Sequence, residues 1–148
     1  MKRIITLLIA IFTFVAISSA QKKAFSIHSG YSYSTGLIGA EYQYNKFGIG
    51  AGIMPFRNEV QEIKPSYSAV VTYYGNKNWN QDSWYVSGAF ASGRYNGDYP
   101  DNPLFIFTIG GKEQIWSGLS VKGGFGYAFT QNDAFPMFEI GLRWSFGL

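Results

Sequence analysis

Over residues 118–148, large apolar side chains hold nearly every second position, with one short polar interruption. Leu119, Val121, Phe125, Tyr127 and Phe129 alternate with Ser120, Lys122, Gly124, Gly126 and Ala128. Phe138, Ile140, Leu142, Trp144, Phe146 and Leu148 then alternate with Met137, Glu139, Gly141, Arg143 and Ser145. Successive side chains of an extended chain point to opposite faces, so the pattern predicts two strands, each with one greasy face and one small or polar face. A turn at residues 130–134 joins them. A lone hairpin of this kind is marginal in water, so a closed sheet is expected around it.

The same rhythm runs back through the chain. A first strand over residues 24–34 sets Phe25, Ile27, Tyr31 and Tyr33 against Ser26, His28, Gly30 and Ser32. After the break at Gly36, Ile38, Ala40, Tyr42 and Tyr44 share one face and Gly39, Glu41 and Gln43 the other. Asn45-Lys46 reads as a two-residue turn into Phe47, Ile49, Ala51 and Ile53, whose opposite face is Gly48, Gly50, Gly52 and Met54. Pro55 lies near that strand's end, where a missing ladder donor is tolerable. Residues 57–65 are polar and charged and read as a loop. Tyr67, Ala69, Val71 and Tyr73 form a fourth strand, closed by the turn-rich residues 75–82. A fifth, from about Trp84 to Gly93, puts Trp84, Val86, Gly88 and Phe90 outside and Tyr85, Ser87, Ala89 and Ala91 inside. Residues 94–103 form the longest loop. In the sixth strand, residues 104–116, Leu104-Phe105-Ile106-Phe107 is apolar on both faces and Gly110-Gly111 suggests a bulge. Ser117-Gly118 turns the chain into the final hairpin, giving eight strands in one domain.

The amino terminus sets the compartment. Lys2 and Arg3, the apolar residues 4–17 and Ser18-Ser19-Ala20 before Gln21 have the order of a cleaved secretory signal. Residues 1–20 are therefore read as a signal peptide and residues 21–148 as the barrel domain. Two of the 12 basic residues leave with the signal, so the net charge falls from +3 to +1 and argues against a nucleic-acid surface. An exported chain with no cysteine holds together without disulfides. No later apolar run has the length of a spanning helix. Aromatics at 19% and 18 glycines, at low charge density, favour strands.

These features predict an all-β, eight-stranded antiparallel up-and-down transmembrane barrel in the cell outer membrane. An even count puts both termini on the periplasmic side. The turns at Asn45-Lys46, residues 75–83 and Ser117-Gly118 then lie there too, and those at Thr35-Gly36, 57–65, 94–103 and 130–134 face outward. With this topology Trp79, Trp84, Trp116 and Trp144 all fall at the periplasmic rim, as an aromatic girdle in the lipid interface would. A soluble lipocalin-like barrel would instead bury its large apolar side chains. The other face carries Gly, Ser, Ala and the charges Glu41, Lys122, Glu139 and Arg143, with Lys112 a possible fifth; these suit a narrow lumen filled by side chains. By the same parity, a Lys or Asp at Leu142 is expected to impair assembly far more than one at Gly141.

The signal peptide, the strand rhythm and the terminal run from Phe138 to Leu148 resemble the small, porin-like outer-membrane β-barrel proteins of the OmpA/OmpX type. The resemblance covers the mature chain as a pattern. It implies outer-membrane lipid as the surrounding partner and recognition of the last strand by the barrel-assembly machinery. Family members commonly end in an aromatic; this chain ends in Leu148, with Phe146 two positions back.

Charges in a narrow lumen need partners, so the lumen set reads first as a structural ion-pair plug and second as a gate or narrow ion path. An enzyme reading rests on the lone His28 and on Asp82-Ser83-Trp84, which is similar to a stretch of the lipid A palmitoyltransferase barrel. The topology puts Asp82-Ser83 at the periplasmic end, away from outer-leaflet lipid A, so no catalytic residue is expected. Gly48-x-Gly50-x-Gly52 is the small face of a strand and lacks a dinucleotide site's helix. One histidine and no cysteine exclude the usual zinc sets, and Glu59, Glu62, Asp98 and Asp101 are too scattered for calcium. No cofactor or metal is expected. The leading expectation is a non-enzymatic barrel whose outward loops, 57–65 and 94–103, serve envelope integrity or an external contact, with Tyr95 and Tyr99 the most contact-like side chains.

Overall fold

A computed structural model describes residues 23–31, 38–57, 63–92, 103–130 and 133–148. Eight strands follow one another: β1 (Lys23–Tyr31), β2 (Ile38–Tyr44), β3 (Phe47–Arg57), β4 (Ile63–Tyr74), β5 (Ser83–Ala91), β6 (Leu104–Trp116), β7 (Leu119–Phe129) and β8 (Ala134–Gly147). Each pairs antiparallel with its neighbour in sequence, and β1 pairs with β8, so the sheet closes into the up-and-down barrel that the alternation predicts. Ala24 faces Gly147 and Tyr31 faces Ile140 along that seam. Leu148 N donates to Lys23 O at 3.1 Å beyond it. Closure leaves no unpaired sheet edge. The proposed signal at residues 1–20, the Thr35-Gly36 turn, and Tyr95 and Tyr99 lie outside the described residues.

Burial follows the period of two. In β5, Tyr85, Ser87, Ala89 and Ala91 are buried while Trp84 and Phe90 are exposed; in β7, Ser120, Lys122 and Ala128 are buried while Phe125, Tyr127 and Phe129 are exposed. The outer surface is banded. Phe25, Tyr44, Phe47, Tyr73, Trp84, Trp116 and Trp144 ring the end that carries both termini. Tyr67, Phe90, Phe105, Tyr127 and Phe129 ring the other end. Between them run Ile27, Ile49, Val71, Ile109, Ile140 and Leu142. The second ring is absent from a reading based on tryptophans, because it is made of Phe and Tyr.

The hairpin ends depart from the expected pattern. Residues 57–65 are not wholly a loop: β3 runs through Arg57 and β4 starts at Ile63, with Pro55 opposite Pro65 and Arg57 opposite Ile63. A backbone ladder does not need apolar side chains, so polarity misplaces this boundary. Gly110-Gly111 carries no bulge; the register runs straight through Gly110↔Gly124 and Gly111↔Gly123 and shifts only between Gln114 and Trp116. β8 opens at Ala134.

Tight turns close the terminal-bearing end. Asn45 adopts a left-handed backbone (φ 54°) and Gly118 another (φ 83°), conformations that Asn and Gly accept most readily. The β4–β5 turn folds over the rim and is tied down: Gly118 N donates to Asn80 Oδ1 at 3.0 Å and Gln114 N to Asp82 Oδ1 at 2.7 Å. The β1–β8 seam has its own constraint. A Cβ on Gly141 would lie 3.0 Å from Ser29 O, so position 141 is tightly packed rather than a free lumen position. The expected contrast between Leu142 and Gly141 therefore narrows, for a backbone reason that parity does not reveal.

Candidate functional site

The lumen is divided lengthwise. Toward the β5–β6 and β7–β8 connections it is apolar, with Val70, Ala89, Ala91, Leu104, Ile106, Ala128 and Met137 packed together and Phe135 against them. Toward the terminal-bearing end it is polar and ionic. Leu104 and Ile106 account for the two-faced apolar start of β6: they fill the lumen while Phe105 and Phe107 face outward.

The ionic part forms two linked clusters. In the first, Glu41 of β2 accepts from three side chains of other strands. Arg143 Nη2 donates to its Oε1 at 2.9 Å, Tyr74 Oη to Oε1 at 2.7 Å and Thr72 Oγ1 to Oε2 at 3.1 Å. Arg143 Nη2 also donates to Gln43 Oε1 at 3.0 Å, and Gln43 Nε2 to Asn45 O at 2.8 Å. The guanidinium lies over the Tyr74 ring, 5.0 Å from Cζ to centroid. Gly48 makes room for the carboxylate, since a Cβ there would sit 2.7 Å from Glu41 Cδ. The small face of β3 thus has a packing role.

In the second cluster Lys122 Nζ lies 3.4 Å from Glu139 Oε1 and 4.1 Å from the centroid of Tyr85. Tyr85 Oη donates to the same Glu139 oxygen. Tyr74 and Tyr85, with centroids 6.3 Å apart, bridge the two clusters. Lys112 is also inside: it is buried, and its Nζ donates to Trp79 O at 2.5 Å, tying the lumen to the rim turn.

Glu41, Lys122, Glu139 and Arg143 are therefore all buried, and the geometry joins them as Glu41 with Arg143 and Lys122 with Glu139. Tyr74, Thr72 and Gln43 complete the first cluster and Tyr85 the second. Tyr74 shares parity with Val70 and Thr72, the signal that would have placed it inside. Trp79, Trp84, Trp116 and Trp144 all lie at the terminal-bearing end, Trp84 packing on Tyr73 (5.7 Å) and Trp144 stacking on Phe146 (6.2 Å). Phe146 lies opposite Phe25 in the seam, and Leu148 follows the last paired residue.

His28 and Asp82-Ser83 are not brought together. His28 is buried in β1 between Gly39 and Arg143. Asp82 accepts from Gln114 N, while Ser83 Oγ accepts from Asn76 N at 2.9 Å and donates to Trp84 O at 2.8 Å. Among the described residues no group of His, Asp and Glu side chains is placed to hold a metal ion. Comparisons with protein-family models, curated proteins and solved structures find no match for this chain.

Proposed function

We propose that the protein is a non-enzymatic outer-membrane β-barrel of the OmpA/OmpX-like kind, its lumen closed by the two ionic clusters and its role structural or surface-binding through the outward loops. The observation that carries this reading is the inverted distribution of polarity. Ile49 (67% exposed), Phe125 (68%) and Phe138 (63%) stand on the outside, while Arg143 and Glu41 (0% and 1%) lie inside. In water so large an apolar outer face would stay hydrated at a large cost; in lipid it is favourably placed, while the charges are kept out of the hydrocarbon and paired with one another inside. Two aromatic rings flanking an aliphatic band match the two interfaces of a bilayer and its hydrocarbon core. Loops projecting from a rigid barrel are where binding is best placed.

The test is two-part. Unboiled protein from an outer-membrane fraction should migrate differently from boiled protein on an SDS gel and should resist trypsin over the strands. Identical migration with complete digestion would count against the barrel in a membrane. In planar bilayers the refolded wild-type protein should show no steady conductance. Steady current that is lost in Glu139→Gln would instead establish the small-pore reading. A lipid-modifying role would need an unseen arrangement of His28 or Ser83, and a change in lipid A mass on overexpression would reveal it.

A further inference from the structure

We propose that the outer face of β1–β4, at the end that carries both termini, seats an anionic glycerophospholipid whose phosphate lies between Lys23 and Lys46. The proposal rests on the membrane reading above and adds a lipid class and a place to it.

Four aromatic side chains run around that rim in register. Tyr44 of β2 lies opposite Phe47 of β3, and Phe47 lies opposite Tyr73 of β4 with ring centroids 5.3 Å apart. Tyr73 in turn packs on Trp84 of β5 at 5.7 Å. Two lysines stand over this row. Lys23 shares the outward parity of Phe25 and Ile27, lies opposite Tyr44 and puts its Nζ 5.9 Å from the centroid of that ring. Lys46, in the turn between β2 and β3, puts its Nζ 5.7 Å from the Tyr73 centroid. Tyr44 and Tyr73 are two strands apart, about 10 Å at the ordinary strand spacing. The flexible four-carbon stems let both ammonium groups close on one phosphate lying between those rings.

Neither cation is neutralised by the protein. Among the described residues, the ion pairs are Lys122 with Glu139 and Arg143 with Glu41, all inside the lumen. The other described carboxylates lie elsewhere: Asp82 and Glu113 at β5 and β6, and Asp133 at the opposite end of the barrel. Basic side chains at a membrane surface draw anionic lipid toward them. The two ammonium groups also stand where a choline or ethanolamine headgroup would meet the Tyr44 and Tyr73 rings. The partner left to them is an acceptor, and a lipid phosphate supplies charge-assisted hydrogen bonds without bringing a cation of its own when the headgroup is glycerol. Deeper on the same face, Tyr42, Ile49 and Val71 are outward and exposed, a wall for the acyl chains that a dissolved phosphate would not use.

The probe is phosphatidylglycerol with brominated acyl chains, read by quenching of tryptophan fluorescence. The barrel is refolded into phosphatidylcholine vesicles in two forms, one keeping Trp84 and the other Trp116 as the sole tryptophan, the rest replaced by Phe. At Trp84 the apparent affinity for brominated phosphatidylglycerol should exceed that for brominated phosphatidylcholine about fivefold or more. At Trp116 of β6, where Glu113 is the nearby outward charge, the two lipids should quench alike. Lys23→Gln combined with Lys46→Gln should bring Trp84 to the same parity. Neither side chain has a lumen contact, and Lys46 O keeps its bond from Tyr74 N at 2.7 Å. Equal quenching of Trp84 by the two lipids, the same preference at Trp116, or a preference that survives the double substitution would overturn the proposal while leaving the barrel in its membrane. If no brominated lipid quenches either tryptophan, the membrane reading itself fails and the lipid seat falls with it.

Discussion

Placing a guanidinium at 0% exposure costs several kcal/mol in desolvation, and Arg143 recovers part of it from Glu41, Gln43 and the Tyr74 ring. Removing one member of such a pair leaves the other charge buried and alone. Arg143→Met should therefore destabilise the refolded barrel by about 3–5 kcal/mol, whereas Glu41→Leu combined with Arg143→Met should recover much of the loss. Urea unfolding in detergent micelles measures both, and equal losses in the single and double variants would mean the two residues are not coupled. Glycines divide just as sharply. A Cβ on Gly126 would lie 1.8 Å from Phe107 O, so Gly126→Ala must displace backbone; Gly88 has nothing within 4 Å. Gly88→Ala should be neutral or gain up to about 1 kcal/mol by restricting the unfolded chain, and Gly126→Ala should lose more than that. The same unfolding assay ranks them.

At the scale of elements, the β4–β5 turn is the part of the rim that side chains hold in place. Asp82→Ala removes the acceptor of Gln114 N and Asn80→Ala that of Gly118 N, each worth about 0.5–1.5 kcal/mol. Amide exchange should quicken at Gln114 in the first variant and at Gly118 in the second, with the β1–β8 seam unchanged. If both amides keep their protection, the turn is held by something else. None of this tie-down is visible in sequence, because Asn80 and Gly118 meet only through the register of four strands. The strands themselves are legible, since a period of two needs no knowledge of partners, and β6 runs from Leu104 to Trp116 as its side chains predict. Parity likewise puts Glu41, Lys122, Glu139 and Arg143 on one face. It cannot say that Arg143 reaches Glu41 rather than Glu139, because that depends on how the barrel closes. Where alternation gives way to polarity, as at residues 57–65, a sequence reading ends the strands too soon.

For the whole molecule, the distinguishing question is what medium the outer face meets, and depth along one strand answers it. Ile109 and Ile115 both stand outward on β6, at 44% and 48% exposure. Ile109 lies in the aliphatic band between the two aromatic rings, whereas Ile115 adjoins Trp116 within the tryptophan-bearing rim. In a bilayer the penalty for a cation depends on depth, about 2–4 kcal/mol near the midplane and falling to about 0–1 kcal/mol at the interfaces. Ile109→Arg should therefore cost the refolded barrel a few kcal/mol in phospholipid vesicles, while Ile115→Arg should cost little. In water the ordering has no cause: replacing either exposed apolar residue by arginine leaves the lumen intact and improves solvation. Equilibrium unfolding of both variants in vesicles carries the comparison. Equal, small effects at the two positions would remove the membrane from the account of this surface, whereas a large effect at Ile109 alone would make the aliphatic band and its aromatic rings a record of bilayer depth.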